Sequence, residues 1–148
     1  MSDKKLILRE AKKDDVELLF KWANDPVVRK NSFNESLIAY EDHVSWFDEI
    51  LEDSTVCQFI LIDGNIPIGQ IRLNINNNEA EISYSIGAEF RGKGYGHKIL
   101  QLMTEVVQEN YPEIKTLRAK VKQGNAASSK LFMSEGYDLD YICYTREI

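Results

Sequence analysis

Phe90-Arg91-Gly92-Lys93-Gly94-Tyr95-Gly96-His97 joins an apolar, strand-like run, Glu81 to Ile86, to an amphipathic run from Lys98 to Asn110. A strand that passes through glycines into a helix can hold an anion. Glycines let the backbone approach it, the N–H groups of the first helical turn point at it, and the helix dipole favours its charge. Arg91 and Lys93 add positive charge at the same point. Two common phosphate loops do not fit. A Walker A loop needs Gly-Lys followed by Ser or Thr, and Lys93 is followed by Gly94. A dinucleotide fingerprint needs Gly-x-Gly-x-x-Gly in an early βαβ unit, whereas Gly92, Gly94 and Gly96 follow a series of strands.

Upstream of the loop, Ala80, Ile82, Tyr84 and Ile86 alternate with Glu81, Ser83 and Ser85, which predicts a strand. Tyr84 shares the apolar face and reads as core. Before it, Val56 to Ile62 and Ile66 to Ile75 read as strands around the hairpin signal Asp63-Gly64-Asn65. The apolar phase of the second strand changes at Gly69-Gln70, which predicts a bulge. Asn76-Asn77-Asn78 is the next turn, so the middle of the chain is an antiparallel meander. The N-terminal part begins with a strand, Leu6 to Ala11. A helix opened by Asp14 and Asp15 follows, with Val16, Leu18, Leu19, Trp22 and Ala23 on its apolar stripe and Asp25-Pro26 at its stop. Val27 to Ile38 reads as irregular, and Glu41 to Glu52 as a second helix.

Downstream, Ile99, Leu100, Met103, Val106 and Val107 form a helical stripe ended by Tyr111-Pro112. A strand carries Leu117, Ala119 and Val121 on one face. Asn125 is placed to cap a short helix that Gly136 ends, and Tyr137 to Arg146 reads as a closing strand. The crossover through the glycine loop predicts a parallel strand pair beside the meander. The expected class is α+β (mixed αβ): a central mixed, mostly antiparallel sheet of about six to seven strands flanked by about four helices.

With 148 residues, 43% of them hydrophobic and 28% charged, the chain reads as one globular domain, 1–148. No apolar run approaches the ~20 residues of a membrane span. The start, Met1-Ser2-Asp3-Lys4-Lys5, has neither the apolar core nor the cleavage site of a secretory signal. A net charge of −6 argues against nucleic acid as a partner while leaving room for a local basic pocket. Cys57 and Cys143 lie far apart without metal-ligand spacing, so two free thiols, a cytoplasmic location and no metal are expected.

Arg91-Gly92-Lys93-Gly94-Tyr95-Gly96 resembles the signature of the GNAT superfamily of N-acetyltransferases, Gln/Arg-x-x-Gly-x-Gly/Ala between the fourth strand and the third helix. Asn125, Ser128, Leu131-Phe132 and Gly136-Tyr137 match a second part of the pattern, in the right order and at the right separation. The element order agrees over essentially the whole chain. The resemblance implies the GNAT fold and acetyl-CoA as acetyl donor, with its pyrophosphate on backbone N–H groups from Arg91 to Gly96. It places the pantetheine arm along the strand ending at Ser85-Ile86, with the Ile86 N–H polarising the thioester carbonyl. Asn125 would bond the arm; as a plain helix cap it would do neither more nor less than hold the chain.

Amine acetylation needs the ammonium deprotonated, the carbonyl polarised and the departing thiolate protonated or stabilised. Glu81 matches the position of a Glu base in related enzymes. It also reads as a surface carboxylate in a cross-strand salt bridge. Many relatives carry Tyr where this chain has Phe132, which cannot donate a proton. Ser128 is the nearest substitute on that helix face, or a small residue for close packing. The acceptor side corresponds to Trp22, Asn24, Arg29, His43, Trp46 and Phe47. This part resembles the branch that acetylates nucleotide-linked amino sugars, as in pseudaminic acid biosynthesis. The same aromatic residues also fit the cores of amphipathic helices. The alternatives are an N-terminal acetyltransferase of the ribosomal-protein type and a non-catalytic acetyl-CoA-binding module. A small-molecule amine is the expected partner, with no nucleic acid and no membrane, in a monomer or homodimer.

Overall fold

The computed structural model describes residues 5–148; the predicted lead-in Met1 to Lys4 lies outside the described residues. The elements are β1 (Leu6–Glu10), a 3-10 turn (Lys13–Asp15), α1 (Val16–Ala23), α2 (Pro26–Lys30), α3 (Tyr40–Glu52), β2 (Val56–Asp63), β3 (Ile66–Asn76), β4 (Glu79–Ile86), a second 3-10 turn (Ala88–Phe90), α4 (Tyr95–Asn110), β5 (Thr116–Ala119) and α5 (Ala126–Ser134). The strands form one sheet in chain order, antiparallel from β1 to β4 and parallel between β4 and β5. This is the expected mixed α+β class.

The period-2 pattern of the strands divides the sheet into two faces. Phe59, Leu61, Ile71, Leu73 and Ile82 pack with Ile99, Leu100, Met103 and Val107 of α4 and Phe132 of α5. Ile60 and Ile62 point the other way and pack with Leu19 and Trp22 of α1 and Phe47 of α3. The polar residues of that second face, Gln58, Gln70, Arg72, Ser83 and Ser85, are cross-strand neighbours: Gln58 is paired with Arg72, Arg72 with Ser83, and Gln70 with Ser85. The predicted bulge is present. Leu61 pairs with Gly69 and Ile62 with Pro67, so Ile68 is the extra residue. Gly69 has a steric role there, since a Cβ on it would sit 2.5 Å from the Ser85 carbonyl oxygen.

Among the described residues two expectations need correction. The sheet has five strands, because Tyr137 to Arg146 forms none. A strand needs a neighbour for its backbone bonds and a buried face for alternate side chains. That segment has no strand neighbour, and beyond Tyr137, which packs on the core, Leu139, Tyr141, Ile142 and Tyr144 are exposed. The helices number five, because Val27 to Ile38 is not wholly irregular: Asp25-Pro26 ends α1 and starts α2. The Asp25 carboxylate accepts from the Val27 and Val28 N–H groups, and Pro26 fills the first turn, where its missing N–H has no cost. Asp14 and Asp15 open the first helix as expected, and Asp15 is the N-cap of α1, though its side chain makes no bond into the helix. Its carboxylate accepts both guanidinium N–H bonds of Arg9 at 2.8 Å and the Lys12 backbone N–H.

Asp15 is 8% exposed, so this pair fixes β1 against the turn into α1 from a partly desolvated position. The Arg9 hydrogen bonds, opposed by burial, hold the Asp15 carboxyl below the usual carboxylate range. The folded state therefore binds that proton less tightly than the unfolded chain. The stabilisation is present above about pH 4 and is lost as pH falls through the lower folded value. Asp15→Asn is expected to cost about 1–2 kcal/mol at pH 7, with Arg9 partly screened by solvent. In urea titrations the gap between variant and wild type should begin to narrow below about pH 4 and close only once pH has fallen below the lowered folded value.

Candidate active site

Parallel pairing of β4 with β5 runs from Glu79 opposite Thr116 to Ile82 opposite Ala119 and stops there. Beyond Ile82, β4 continues to Ile86 while the chain after β5 turns away. The result is a cleft of about 1480 Å³ that reaches from the glycine loop to α3.

At one end the loop enters α4. Gly92 and Gly94 have φ of +75° and +87°, a region that L side chains rarely adopt, and Gly94 is the N-cap of α4. No side chain caps that helix, so its start relies on other partners for the N–H groups every helix leaves open. Gly92, Gly94, Tyr95 and Gly96 line the cleft, and the space where a Cβ of Gly92 or Gly94 would lie is open. At Gly96 a Cβ would come 2.8 Å from Leu131 of α5, so glycine there lets the two helix starts approach. Of the two loop cations, Arg91 lines the cleft and pairs with Asp25 at 3.0 Å. Lys93 is exposed and off the wall. Positive N–H groups, a helix dipole and an open concavity make this end an anion cradle that fits a pyrophosphate.

Along the middle, Ser85 and Ile86 line the cleft at the unpaired end of β4. The Ser85 hydroxyl accepts from Gln70 Nε2, whose Oε1 accepts from Gln58 Nε2. Glu81 lines the cleft and pairs with Lys120 at 3.3 Å, so the salt-bridge reading has a named partner. Asn125 Oδ1 accepts the Ser128 N–H and caps α5, while Asn125 itself stands in the wall. Ser128 also lines the cleft, and its hydroxyl lies 3.1 Å from the Tyr84 hydroxyl. Tyr84 packs on the α4–α5 core as its strand phase predicts, yet its hydroxyl end reaches this polar contact. Phe132 packs edge-on against both Tyr84 and Tyr137.

At the far end, Arg29, His43 and Trp46 line the cleft. Trp22 and Phe47 are buried behind them, and Asn24 is engaged at both ends of its amide with the Ile38 backbone. Arg29 donates to the carbonyls of Ala23, Asn34 and Ser36 and so pins the chain between α2 and α3. His43 Nε2 donates to the Val16 carbonyl at 2.9 Å, and burial lowers its pKa, which keeps the ring neutral at pH 7. Arg72 is the residue the sequence reading passed over. Its guanidinium lies 5.2 Å from the Trp46 ring centre and bonds Asn74, facing the cleft from β3. Its signal was a cation in the polar phase of a central strand, next to Ser83 by register. Among the described residues no three His, Cys, Asp or Glu side chains are grouped to hold a metal ion. No helix there is long and apolar enough to cross a membrane.

Known proteins share this architecture. Among curated relatives, an uncharacterized protein of Methanocaldococcus jannaschii, MJ1062, is 29% identical over 142 residues; the match takes 91% of this chain and only 28% of that protein. Acetyltransferase PseH of Campylobacter jejuni is 26% identical over 132 residues, 88% of this chain and 81% of the relative. Among solved structures, spermidine N-acetyltransferase from Vibrio cholerae, in complex with CoA and spermine, superposes with a TM-score of 0.82 at 19% identity, over 90% of this chain and 80% of that one. The ribosomal L7/L12 alpha-N-protein acetyltransferase RimL, in complex with coenzyme A, gives 0.79 at 18% identity over 95% and 84%. These structures share the fold. Residues 5–138 match the acetyltransferase (GNAT) domain, and the chain belongs to that family of acyltransferases, which take their acetyl group from acetyl-CoA.

Proposed function

We propose that residues 1–148 act as one cytoplasmic acetyltransferase domain that moves the acetyl group of acetyl-CoA to the primary amine of a nucleotide-linked amino sugar. The observation that carries the acceptor is charge. The chain has a net charge of −6, yet the cleft wall presents Arg29, Arg72, Arg91, Lys120, Lys122 and Lys130 against Asp42 and Glu81. Asp25 answers Arg91 and Glu35 answers Lys122. Glu81 pairs with Lys120 and its charge also reaches Arg72, while Arg29 and Arg72 make their hydrogen bonds to neutral oxygens. Such a wall repels an acceptor that carries only ammonium groups and attracts one whose amine travels with a diphosphate. Trp46, backed by Arg72, offers a flat face to a base or sugar ring. The likeness to PseH along most of both chains supports the same reading.

At the donor end the N–H groups around Gly92, Gly94 and Gly96 hold the pyrophosphate. Ser85 and Ile86 offer the free edge of β4 to the pantetheine arm, with Asn125 and Ser128 opposite. Bound acetyl-CoA supplies an activated thioester. The Ile86 N–H polarises its carbonyl, and Glu81 takes the proton of the ammonium directly or through one water. The Glu81–Lys120 pair is half open to solvent on both sides, so it is weak, and an incoming ammonium can take the place of Lys120.

Gly94→Asp places bulk and negative charge in the cradle, and calorimetry should show acetyl-CoA affinity falling by more than about a hundredfold; unchanged affinity removes the loop assignment. Glu81→Gln should lower turnover by about 10²-fold or more with cofactor affinity kept, and unchanged turnover makes Glu81 a structural partner of Lys120. In thiol-release assays a nucleotide-linked amino sugar should be preferred over spermidine and over peptide N-termini. Arg72→Gln should raise KM for that sugar about tenfold without touching acetyl-CoA affinity. Preference for spermidine would overturn the acceptor reading.

A further inference from the structure

The geometry points to Tyr84 as the group that protonates the departing thiolate, with Ser128 positioning its hydroxyl. This inference rests on the acetyl-CoA reading given above. The donor enters at the glycine loop and the acceptor at the Arg29–Trp46 end, so transfer takes place between them. That stretch of wall carries Glu81, Tyr84 and Ser128. Glu81 faces the acceptor side of the sheet with Ser83 and Ser85, while Tyr84 has the opposite phase and projects toward α5. The two groups therefore come from opposite faces of β4, as removing one proton and delivering another requires. Among the wall residues between Ser83 and Gly96, the phenols are Tyr84 and Tyr95, and Tyr95 donates its hydrogen to Asp63. Phe132, edge-on to the Tyr84 ring, offers no hydroxyl of its own.

The Tyr84 and Ser128 hydroxyls are 3.1 Å apart and either can be the donor. When Ser128 donates to the phenol oxygen, the phenol hydrogen is released toward the cleft. Asn125 fixes Ser128 through the α5 cap, so the cap sets the position of the pair. The transfer balances as follows. The ammonium gives one proton to Glu81, which passes it to solvent; the amine nitrogen then bonds to the carbonyl carbon, and its second proton leaves by the same route as the carbonyl re-forms. The C–S bond breaks and its electron pair stays on sulfur. The sulfur takes the Tyr84 proton, and the phenolate regains one from solvent through Ser128.

Burial raises the Tyr84 pKa, against a smaller opposite effect of Ser128. A phenol is ordinarily a weaker acid than a thiol, an uphill factor of about thirty for transfer to a free solvated thiolate. The same low-polarity stretch raises a thiol held beside it as well, so burial shifts acid and leaving group in the same direction. The raised pKa also keeps Tyr84 protonated throughout the neutral range, where a donor must be loaded.

The test compares wild type, Tyr84→Phe and the double variant Tyr84→Phe/Phe132→Tyr. Tyr84→Phe keeps the ring that packs on Phe132 and removes the hydroxyl alone. The first readout needs no acceptor: ionisation of the thiol of bound coenzyme A, followed by thiolate absorbance against pH. The phenol hydrogen bond should let the bound thiol ionise about one pH unit lower in wild type than in Tyr84→Phe. The second is CoA release from acetyl-CoA with the amine panel, expected to fall about 10²-fold in Tyr84→Phe and to recover in the double variant, which returns a phenol to the same wall. Coincident thiol titrations in wild type and Tyr84→Phe would overturn the assignment, as would unchanged release. Failure of wild type to bind acetyl-CoA at all is a different result, and it overturns the reading on which this inference stands.

Discussion

The end of parallel pairing at Ile82 and Ala119 is the constraint on which the rest of this molecule depends. A continuous β4–β5 ladder would pair the β4 edge along its whole length. Because the ladder stops, Ser83 to Ile86 keep a free edge within the fold, and the walls that would have met there become a cleft. The elements that follow are arranged around this opening. Ser85 and Ile86 line it, the glycine loop and the start of α4 close one end, α5 forms the side opposite β4, and α3 with the chain between α2 and α3 closes the other end.

Each wall residue is held by something outside the chemistry assigned to it. Asn125 caps α5, Arg29 ties loop carbonyls, His43 bonds the Val16 carbonyl, and Ser85 ends the Gln58–Gln70 ladder. Such second contacts fix side chains without the ligand, which lowers the ordering cost of binding. They also explain why a fold-stabilising reading and a functional reading of the same residue both hold here. An N-cap can present its side chain to a cleft, and a cation satisfied by carbonyls still contributes its charge to the field.

Much of the fold was legible because its signals are local. Residue type and the Asp63-Gly64-Asn65 turn mark β2 and β3, alternation marks β4, the phase change at Gly69 locates the bulge, and the glycine loop sets the strand-to-helix crossover. The failures are non-local. The strand reading of Tyr137 to Arg146 reports propensity, but a strand forms only with a neighbour and a buried face. Asp25-Pro26 reads as a stop, while the same pair serves equally as N-cap and first turn. In the site, the donor end was readable since backbone conformation and glycine spacing define it. The acceptor end was not: an apolar stripe says that Trp22, Trp46 and Phe47 are near the core, and only packing puts Trp46 in the wall and the other two behind it. Arg72 and the hydroxyl of Tyr84 become visible once register sets β3 beside β4 and α5 against their far ends.

The central claim is that the donor is held by the backbone of the glycine loop at the mouth of this opening. Backbone amide ¹H–¹⁵N spectra recorded during titration with acetyl-CoA address it residue by residue. The account predicts the largest shifts at Gly92, Gly94, Tyr95 and Gly96, with a second group at Ser85, Ile86 and Ser128 and little change in β1 and β2. Saturable binding that leaves the Gly92–Gly96 amides unmoved would contradict it.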